Sequence, residues 1–407
     1  MKPIDPAFIP VSTAPRRGVD SGPAVRVTDG LANDQLLYFT SPSLLADDRR
    51  LVFISDRSGQ PNLFLRDLAT GEQRQLSRNT DGLLKSYVYF DGTPYRGFGK
   101  ASVSVHAASE KIYFIQGKQI CCADANGDLR VLAELPYGQM TAFTHVSADG
   151  KRLCVPTTDA RCLDGDAQLA GKPAWDIDAR IREENLSSWL RVFDTDSGKE
   201  FLCERVPQAW VTHVQFSPRN ADWILYNHEW PSDCGIRRVW LWNGREHVRL
   251  RTEGDGRKRE DWTCHEMWER DGDAIIYHGV FADGPAYIGR VKPDGSERVE
   301  IPLPAGWKRY GHFTEGKPGV LVSDGYYEKP DDGEPAHTGA WICAVKANWS
   351  ARTADWIPLC RHGSSWRSQC EHPHPVFNHA ADAIYFVSDK DGKRAVYRVA
   401  LPNSLSS

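Results

Sequence analysis

The chain has 407 residues, a formal net charge of −4 and no long basic run, which gives no indication of a nucleic-acid or anionic-membrane partner. Hydrophobic residues make up 41% of the sequence, enough to bury a large core. The 14 Trp, 14 Tyr, 34 Gly and 25 Pro favour many short strands and turns over helices. These proportions indicate an all-β protein.

A degenerate repeat of roughly fifty residues runs along the chain, within the period range of propellers and solenoids. Each copy contains a short apolar strand, and turn signals such as Asn126-Gly127 and Asp391-Gly392 separate the strands. Seven copies can be recognised by this strand: Leu51–Ser55, Ile112–Ile115, Leu153–Val155, Trp223–Tyr226, Ile275–His278, Val320–Ser323 and Ile384–Ser388.

The two ends of the chain favour a closed ring over an open stack. After its apolar strand the last copy has only one further strand, Ala395–Val399, and so lacks a fourth. A strand-like run before the first copy, Ala24–Thr28, would supply the missing outer strand. The sequence therefore predicts a seven-bladed β-propeller whose ring is closed by an N-terminal strand that completes the last blade. Residues 22–407 are expected to form this single domain, and residues 1–21 an N-terminal extension.

The compartment follows from the extension and the cysteines. Residues 1–21 are polar and Pro-rich without the apolar segment of a secretory signal, and no apolar run approaches the ~20 residues of a membrane helix. The ten cysteines are scattered with no CxxC spacing, as is typical of reduced core thiols. We expect a cytoplasmic protein with no membrane partner.

Histidines recur in the strand that begins each copy. In a propeller this strand lines the central channel, so we expect side chains at equivalent positions to meet at one mouth. Six of the 13 histidines fall in this strand of five consecutive copies: His145, His213, His265, His312, His372 and His374. A chance scatter of core histidines would not favour one register, so the sequence predicts an active centre here.

His312, Gln369, His372 and His374 form the best candidate metal set. His372 and His374 share a face because alternate side chains of an extended strand point the same way. Imidazoles with an amide oxygen suit a divalent transition metal, whereas the plainer alternative is a strand with two packed histidines. His265 or His213 could act as a base, since imidazole needs little tuning for that role.

The weaker candidates lie in loops and at strand ends. His228 precedes Glu229 in a loop and is as easily a capped turn residue as a site residue. Arg238 shares a face with Trp240, where a solvated arginine packed over the indole is the alternative. Arg361 precedes the metal strand and would add positive charge at the mouth. No nucleophile elbow, phosphate loop, dinucleotide fingerprint or glycosidase carboxylate pair is present, so these residues favour a small acidic substrate.

Four stretches together resemble the oligogalacturonate lyase family, whose members are seven-bladed propellers carrying a manganese-type metal. The stretches are His228-Glu229 with Arg238-x-Trp240, His265-Glu266-x-Trp268, Tyr310-Gly311-His312-Phe313 with Ser323-Asp324-Gly325, and Ser364-Ser365-Trp366 followed by Gln369-x-x-His372-Pro373-His374-Pro375. Segments 164–184 and 331–349 have no counterpart in the family pattern.

The resemblance implies that His312, Gln369, His372 and His374 hold a divalent metal, with Mn²⁺ expected. It also implies that His265 is the catalytic base and Arg238 the essential arginine, with Arg237 as the alternative one position earlier. The weaker substrate-binding candidates are His213, His228, His145, Arg237 and Arg361.

The implied reaction is metal-assisted β-elimination of short 4-linked galacturonides, giving 4,5-unsaturated uronides. The substrate would then be a small acidic oligosaccharide. Two alternatives stay open: a lyase for another uronate-containing oligosaccharide on the same scaffold, and a non-catalytic propeller interaction module, since a fold alone does not confer a function.

Overall fold

The computed structural model describes residues 23–85, 96–162, 181, 183–229, 238–251, 262–281, 285–303, 307–309, 311–327 and 339–406. Within these ranges 33 strands form seven sheets, and the helical elements include a 3-10 turn at Ala160–Cys162 and a short helix at Asn403–Ser406. The prediction of an all-β seven-bladed propeller is confirmed. The predicted extension over residues 1–21, most of segment 164–184 and Arg237 lie outside the described residues.

The strands are numbered along the chain, and each sheet is one blade. Blade one contains β2 (Asp34–Gln35), β3 (Arg50–Ser55), β4 (Asn62–Asp67) and β5 (Gln73–Gln75). Blade two contains β6 (Leu84–Lys85), β7 (Phe98–Gly99), β8 (Ser104–His106), β9 (Lys111–Gln116), β10 (Gln119–Asp124) and β11 (Leu129–Glu134). Blade three contains β12 (Gln139–Thr141), β13 (His145–Val146), β14 (Arg152–Asp159), β15 (Ser187–Asp194) and β16 (Glu200–Pro207).

The remaining blades follow the same plan. Blade four contains β17 (Val214–Phe216), β18 (Ile224–Tyr226), β19 (Trp240–Trp242) and β20 (His247–Arg249). Blade five contains β21 (Trp262–Trp268), β22 (Ile275–Val280), β23 (Ala286–Val291) and β24 (Val299–Pro302). Blade six contains β25 (Trp307–Arg309), β26 (Phe313–Lys317), β27 (Val320–Ser323), β28 (Tyr326–Tyr327), β29 (Gly339–Asn348) and β30 (Thr353–Arg361). Blade seven contains β31 (Val376–Phe377), β32 (Ala383–Ser388), β33 (Ala395–Ala400) and β1 (Val25–Arg26).

The N-terminal strand closes the ring as predicted. Strand β1 pairs antiparallel with β33, with Val25 opposite Arg398 and Arg26 opposite Tyr397. The contact continues beyond the strand, because the backbone N–H of Val27 donates to the Val396 carbonyl at 2.7 Å. The last blade therefore draws its outermost strand from the first residues described and its other three from the last.

Hydrophobic burial between blades holds the ring together. All seven apolar strands predicted from the sequence are central strands of their sheets, and they read as nearly continuous apolar runs because both faces are covered by neighbouring blades. Seven clusters of buried side chains each join two adjacent blades. One of them packs Leu51 and Phe53 of blade one against Tyr385 and Val387 of blade seven, so apolar contact is continuous around the ring.

Across the described parts of the chain, no helix has the length and apolar character needed to cross a membrane.

Candidate active site

Three of the four predicted metal ligands meet where the innermost strands of blades six and seven begin. His312 directly precedes β26, and His372 and His374 precede β31, so neighbouring blades bring them together. One ring nitrogen from each of the three lies within 4.8 Å of the others. The ring centroids are 4.1 Å apart for His312 and His374 and 5.5 Å apart for His312 and His372.

The donor atoms of this cluster lack other partners. Within the described residues, Gln369 Oε1, His372 Nδ1 and His374 Nε2 are buried and make no hydrogen bond. Buried polar atoms without partners cost free energy, so three of them within six residues of the chain call for a ligand. Burial lowers the pKa of His372 to about 4 and that of His374 well below its ordinary value, which keeps both rings in the neutral form that binds metals. A divalent cation that accepts imidazole and amide oxygen fits these residues.

Asp324 orients the third histidine of the cluster. Its Oδ2 accepts a hydrogen bond from His312 Nδ1 at 2.9 Å, and its Oδ1 accepts one from the His312 backbone N–H at 2.6 Å. Oδ2 also accepts the backbone N–H of His374 at 3.1 Å. Burial opposes ionisation of Asp324, but the contact with His312 lowers its pKa below the ordinary value. With the hydrogen held on Nδ1, Nε2 of His312 keeps the lone pair that a metal requires.

The segment that precedes β26 passes so close to the Asp324 carboxylate that position 311 must be a glycine. A Cβ on Gly311 would lie 2.8 Å from Oδ1 of Asp324, closer than side-chain atoms pack. The Gly311-His312 and Asp324-Gly325 pairs of the sequence pattern are thus two sides of one contact. The sequence does not predict the role of Asp324, because its segment and that of His312 contact each other only when β26 and β27 pair within the blade.

His265 is turned into the channel by a β-bulge. The register of β21 against β22 shifts between Cys264 and Met267, so that His265 and Glu266 together oppose the single residue Tyr277. The bulge places His265 at a φ of 52°, a region that residues other than glycine seldom adopt. Local backbone strain of this kind clusters at functional sites, and here it brings one imidazole against His312.

The surroundings of His265 suit a neutral base. Its ring centroid lies 4.6 Å from that of His312 and 5.3 Å from that of Phe39. Burial, followed by the neighbouring His312, lowers its pKa well below the ordinary value. The ring therefore carries no charge at neutral pH and has one nitrogen lone pair available.

Arg238 is buried beside this histidine and is held by two carboxylates. Nη2 donates to Oε1 of Glu229 at 2.6 Å, and Nη1 lies 3.5 Å from Oε2 of Glu266 and 3.3 Å from the Cys264 sulfur. Burial alone would lower the pKa of the guanidinium, but Cys264, Glu229 and Glu266 together raise it above its ordinary value. Arg238 is a permanent positive charge in a fixed orientation.

His213 lies at the same mouth and also has one committed nitrogen. Its Nδ1 is 2.9 Å from both Thr212 Oγ1 and Asn227 Nδ2. In the part of the chain that the structure describes, Nε2 of His213 is buried without a hydrogen-bond partner. Its ring lies 4.0 Å from Phe143 and 6.0 Å from Tyr38, so it faces the centre of the channel.

Aromatic rings complete the walls of the site. The ring of Tyr38 is 4.8 Å from His374, that of Phe39 is 5.1 Å from His312, and that of Trp366 is 4.3 Å from His372. Tyr38 and Phe39 come from blade one, which packs against blade seven on the side away from blade six. These rings exclude water from the imidazoles, and the two from blade one carry no signal in the sequence that predicts their contact with the cluster.

A buried lysine next to the cluster was not predicted from the sequence. Lys100 follows β7 in blade two and is 1% exposed. Its Nζ lies 3.3 Å from His374 Nδ1 and 3.4 Å from the Gln369 carbonyl oxygen, which places Gln369 beside the histidines. Burial lowers the pKa of Lys100 to about 8. The surrounding Gly99-Lys100-Ala101 contains no motif that points to this position.

His145 does not share the register of the other histidines. In blades three, four, five and seven, the turn after the innermost strand is closed by a backbone N–H that donates to a carbonyl at or just before the start of the next strand, and the donors are Ser147, Ser217, Glu269 and Asn378. His213, His265 and His374 each lie four residues before this donor, whereas His145 lies two before it. His145 is therefore one side-chain repeat, ~7 Å, further along the channel. It lines a separate cavity of about 330 Å³ with His106 and His379, so the expectation that all six histidines meet at one mouth is wrong for this residue.

Two other candidate substrate-binding residues, His228 and Arg361, pack against tryptophan rings. His228 stacks on Trp240 with ring centroids 4.8 Å apart, whereas Asn227 and Glu229 on either side of it hydrogen-bond to each other. Burial lowers its pKa to about 3. Arg361 ends the outer strand β30, and its guanidinium lies 4.7 Å from the ring centroid of Trp341.

Comparison with known proteins assigns this chain to a family. A family model described as oligogalacturonate lyase matches residues 189–405, which include every predicted metal ligand together with Arg238 and His265. An oligogalacturonide lyase from Pectobacterium atrosepticum is 28% identical over 210 residues, which is 48% of this chain and 51% of that protein. An oligogalacturonate lyase from Dickeya dadantii is 26% identical over a stretch of the same length. The chain thus matches about half the length of these relatives.

Solved structures share the fold over nearly the whole chain. An oligogalacturonate lyase in complex with manganese superposes with a TM-score of 0.75 at 20% identity, covering 98% of both chains. An oligogalacturonate lyase from Vibrio parahaemolyticus gives a TM-score of 0.75 at 19% identity, covering 97% of this chain and 98% of that one. These structures establish the shared propeller, and the family model covers more than half of the chain. The protein belongs to the oligogalacturonate lyase family.

Proposed function

We propose that this protein is an oligogalacturonate lyase that cleaves short 4-linked galacturonides by β-elimination and releases 4,5-unsaturated uronides. The observation that carries the proposal is the meeting of buried, unpartnered metal-type donors with a neutral histidine, His265, at the mouth where Arg238 supplies a fixed positive charge. The names of the matched family and of the two bacterial relatives support the same reaction.

Four residues would hold the metal: His312, Gln369, His372 and His374. A divalent metal supplies Lewis-acid chemistry to a bound carboxylate. We propose Mn²⁺, because a related propeller is in complex with manganese and because the set includes an oxygen donor. Asp324 keeps the ring of His312 in the orientation and protonation state that this role requires.

His265 would remove the proton on the carbon next to the carboxylate. The C–H bond breaks, the proton goes to Nε2 of His265, and the electron pair forms the new carbon–carbon double bond. The electron pair is first shared with the carboxylate; as the double bond then forms, the bond from the neighbouring carbon to the glycosidic oxygen breaks, and that oxygen leaves with its electron pair and takes a proton from water. A positioned base typically contributes ~10²–10⁴-fold to the rate.

Arg238 would share the negative charge that develops on the substrate carboxylate. Its planar guanidinium suits a carboxylate or enolate-like group, and such preorganised charges act strongly in a site from which water is excluded. The bond to Glu229 fixes its orientation before the substrate arrives. His213, whose Nε2 faces the channel, is the remaining candidate for contact with sugar hydroxyls.

The compartment and the substrate are proposed together. The eight cysteines whose side chains are described are all free thiols, and seven are at least partly buried, as in proteins of a reducing cytoplasm. A cytoplasmic enzyme would meet di- or trisaccharides imported after pectin breakdown outside the cell.

The test is ultraviolet absorbance of the unsaturated product with digalacturonate as substrate. We expect a steady rise that EDTA stops and added Mn²⁺ restores. A protein that contains metal but gives no rise would contradict the galacturonide assignment and would be assayed with other uronides. A protein with neither metal nor rise would refute the lyase proposal.

A further inference from the structure

A second histidine touches His265 from the neighbouring strand. His278 lies on β22, directly opposite Cys264 and at the edge of the bulge that displaces His265. Its Nε2 is 2.7 Å from His265 Nδ1, the ring centroids are 4.8 Å apart, and the side chain is fully buried. The distance is that of a good hydrogen bond, so this contact decides which nitrogen of His265 carries the hydrogen.

Two arrangements of this hydrogen bond are possible. A hydrogen bond between two neutral imidazoles has one ring donating its N–H and the other accepting at its lone pair. If His265 Nδ1 donates, Nε2 of His265 has the free lone pair. If His278 Nε2 donates, Nε2 of His265 carries the hydrogen and cannot accept another. Only the first arrangement permits His265 to take a proton from the substrate.

We propose that His278 is a positioning residue that holds His265 in the tautomer with hydrogen on Nδ1. This inference rests on the proposed function, in which His265 is the base. His278 accepts the hydrogen bond at Nε2 and carries its own hydrogen on Nδ1. The lone pair of His265 Nε2 is then directed away from β22, toward the channel in which the rings of His312 and Phe39 lie.

The same bond persists through the proton transfer. Once Nε2 of His265 takes the substrate proton, the ring is an imidazolium with hydrogens on both nitrogens, and Nδ1 still donates to His278. The bond becomes charge-assisted and therefore shorter and stronger, so it favours the state in which the proton has been transferred. No proton moves to His278, and none is gained or lost by the pair beyond the one taken from the substrate.

The fold holds His278 rigidly enough for this task. It lies in the middle of its sheet, paired with Cys264 on one side and with Ile288 on the other. The ring of Phe313 packs against it at 5.2 Å. An imidazole here supplies an acceptor without adding a negative charge beside the metal cluster, which a carboxylate would do.

Two substitutions at this position separate orientation from packing. His278→Leu removes the acceptor, and His278→Gln keeps a side-chain oxygen that can accept from His265 Nδ1. We expect kcat with digalacturonate to fall about 10- to 100-fold in His278→Leu and to recover to within about threefold of wild type in His278→Gln. KM and the stoichiometry of bound Mn²⁺ should stay within about twofold in both variants, since the contact with His278 is made in every state.

The matched control is His247→Leu. His247 also joins two strands through its ring, with Nδ1 2.9 Å from the Tyr226 hydroxyl and Nε2 3.3 Å from Glu204, but it lies on the outer strand of blade four. We expect kcat of His247→Leu to match wild type. A His278→Leu protein with wild-type kcat, or a His278→Gln protein no better than His278→Leu, would overturn the proposal.

A spectroscopic readout keeps the test independent of the reaction. In ¹⁵N-histidine-labelled protein, the signals lost in His265→Ala identify His265, and their chemical shifts report which nitrogen carries the hydrogen. We expect hydrogen on Nδ1 in wild type and a mixture of tautomers in His278→Leu. Hydrogen on Nε2 of His265 in wild type would refute the inference even if a variant fails to fold. Absence of elimination by wild type would refute the proposed function alone, because the spectra would still decide the role of His278.

Discussion

Replacement of Asp324 by Asn should weaken metal binding while leaving the fold intact. Asp324 accepts three hydrogen bonds, two from His312 and one from the backbone of His374, so it ties together two of the proposed ligands. An asparagine cannot satisfy all three donors. With its NH₂ at the Oδ2 position two donors lose their acceptor, and with the amide reversed the backbone N–H of His312 loses its acceptor.

The size of the effect follows from these contacts. Partners that orient a metal ligand typically contribute 10- to 100-fold to metal affinity. We therefore expect the Kd for Mn²⁺ to rise by about 10- to 100-fold, which corresponds to about 1.4–2.8 kcal/mol. The loss has two parts: a neutral amide no longer holds the hydrogen of His312 on Nδ1, and at least one buried N–H is left without a partner.

Binding can be measured without substrate. Free Mn²⁺ gives an electron paramagnetic resonance signal that the bound ion largely loses, so a titration yields Kd for wild type and variant. Thermal unfolding of the metal-free proteins reports whether the substitution also damages the fold. The matched control is Asp34→Asn, which removes the charge of another fully buried carboxylate, one that pairs with Arg57 in blade one at 2.9 Å.

The control should lose stability but keep its affinity for Mn²⁺. An Asp324→Asn protein with a Kd within about twofold of wild type would show that Asp324 does not tune the cluster. Equal weakening in Asp34→Asn would show that loss of stability, and not the orientation of His312, is responsible.

Three further outcomes are expected. His265→Ala should abolish elimination and keep bound metal, whereas His374→Ala should lose both, as metal analysis alongside the absorbance assay would show; near-normal turnover by His265→Ala would contradict its assignment as the base. With metal removed, the free energy of unfolding should fall as pH drops below about 6.5, because His228 stays neutral when folded, with a pKa of about 3, while the unfolded chain takes up a proton. His228→Phe should flatten that slope by about 1.4 kcal/mol per pH unit in urea titrations, and an unchanged slope would rule out this histidine as a source. Deletion of residues 1–28 should lower Tm because it removes the closing strand, whereas deletion of residues 1–21 should not, and equal effects would argue against an extension ending there.

Part of the architecture is visible in the sequence because its signals are local. A strand covered on both faces must be apolar along its length, so the central strand of every blade stands out, and glycine-containing turns separate the strands. Counting strands along the sequence also shows that the last copy lacks one strand and that one extra strand-like run precedes the first copy. The chemistry of the metal set is likewise local, since Gln369, His372 and His374 lie within six residues of one another.

The tertiary structure decided what depends on register and on contacts between blades. The sequence predicts that His145 joins the other histidines. Relative to the hydrogen bond that closes the turn, however, it lies two residues further along its strand, and it therefore lines another cavity. Only the structure shows this hydrogen bond. The bulge that turns His265 inward is set by its pairing with β22.

The partners of the site come from other strands of the same blade or from another blade. Asp324 is 12 residues from His312 along the chain, His278 is 13 from His265, and Lys100 is 274 from His374. A sequence specifies residue types and strand positions, whereas which side chains meet in the channel depends on how seven blades pack around it. The ligands could therefore be proposed from the sequence alone, but the residues that orient them and set their protonation could not.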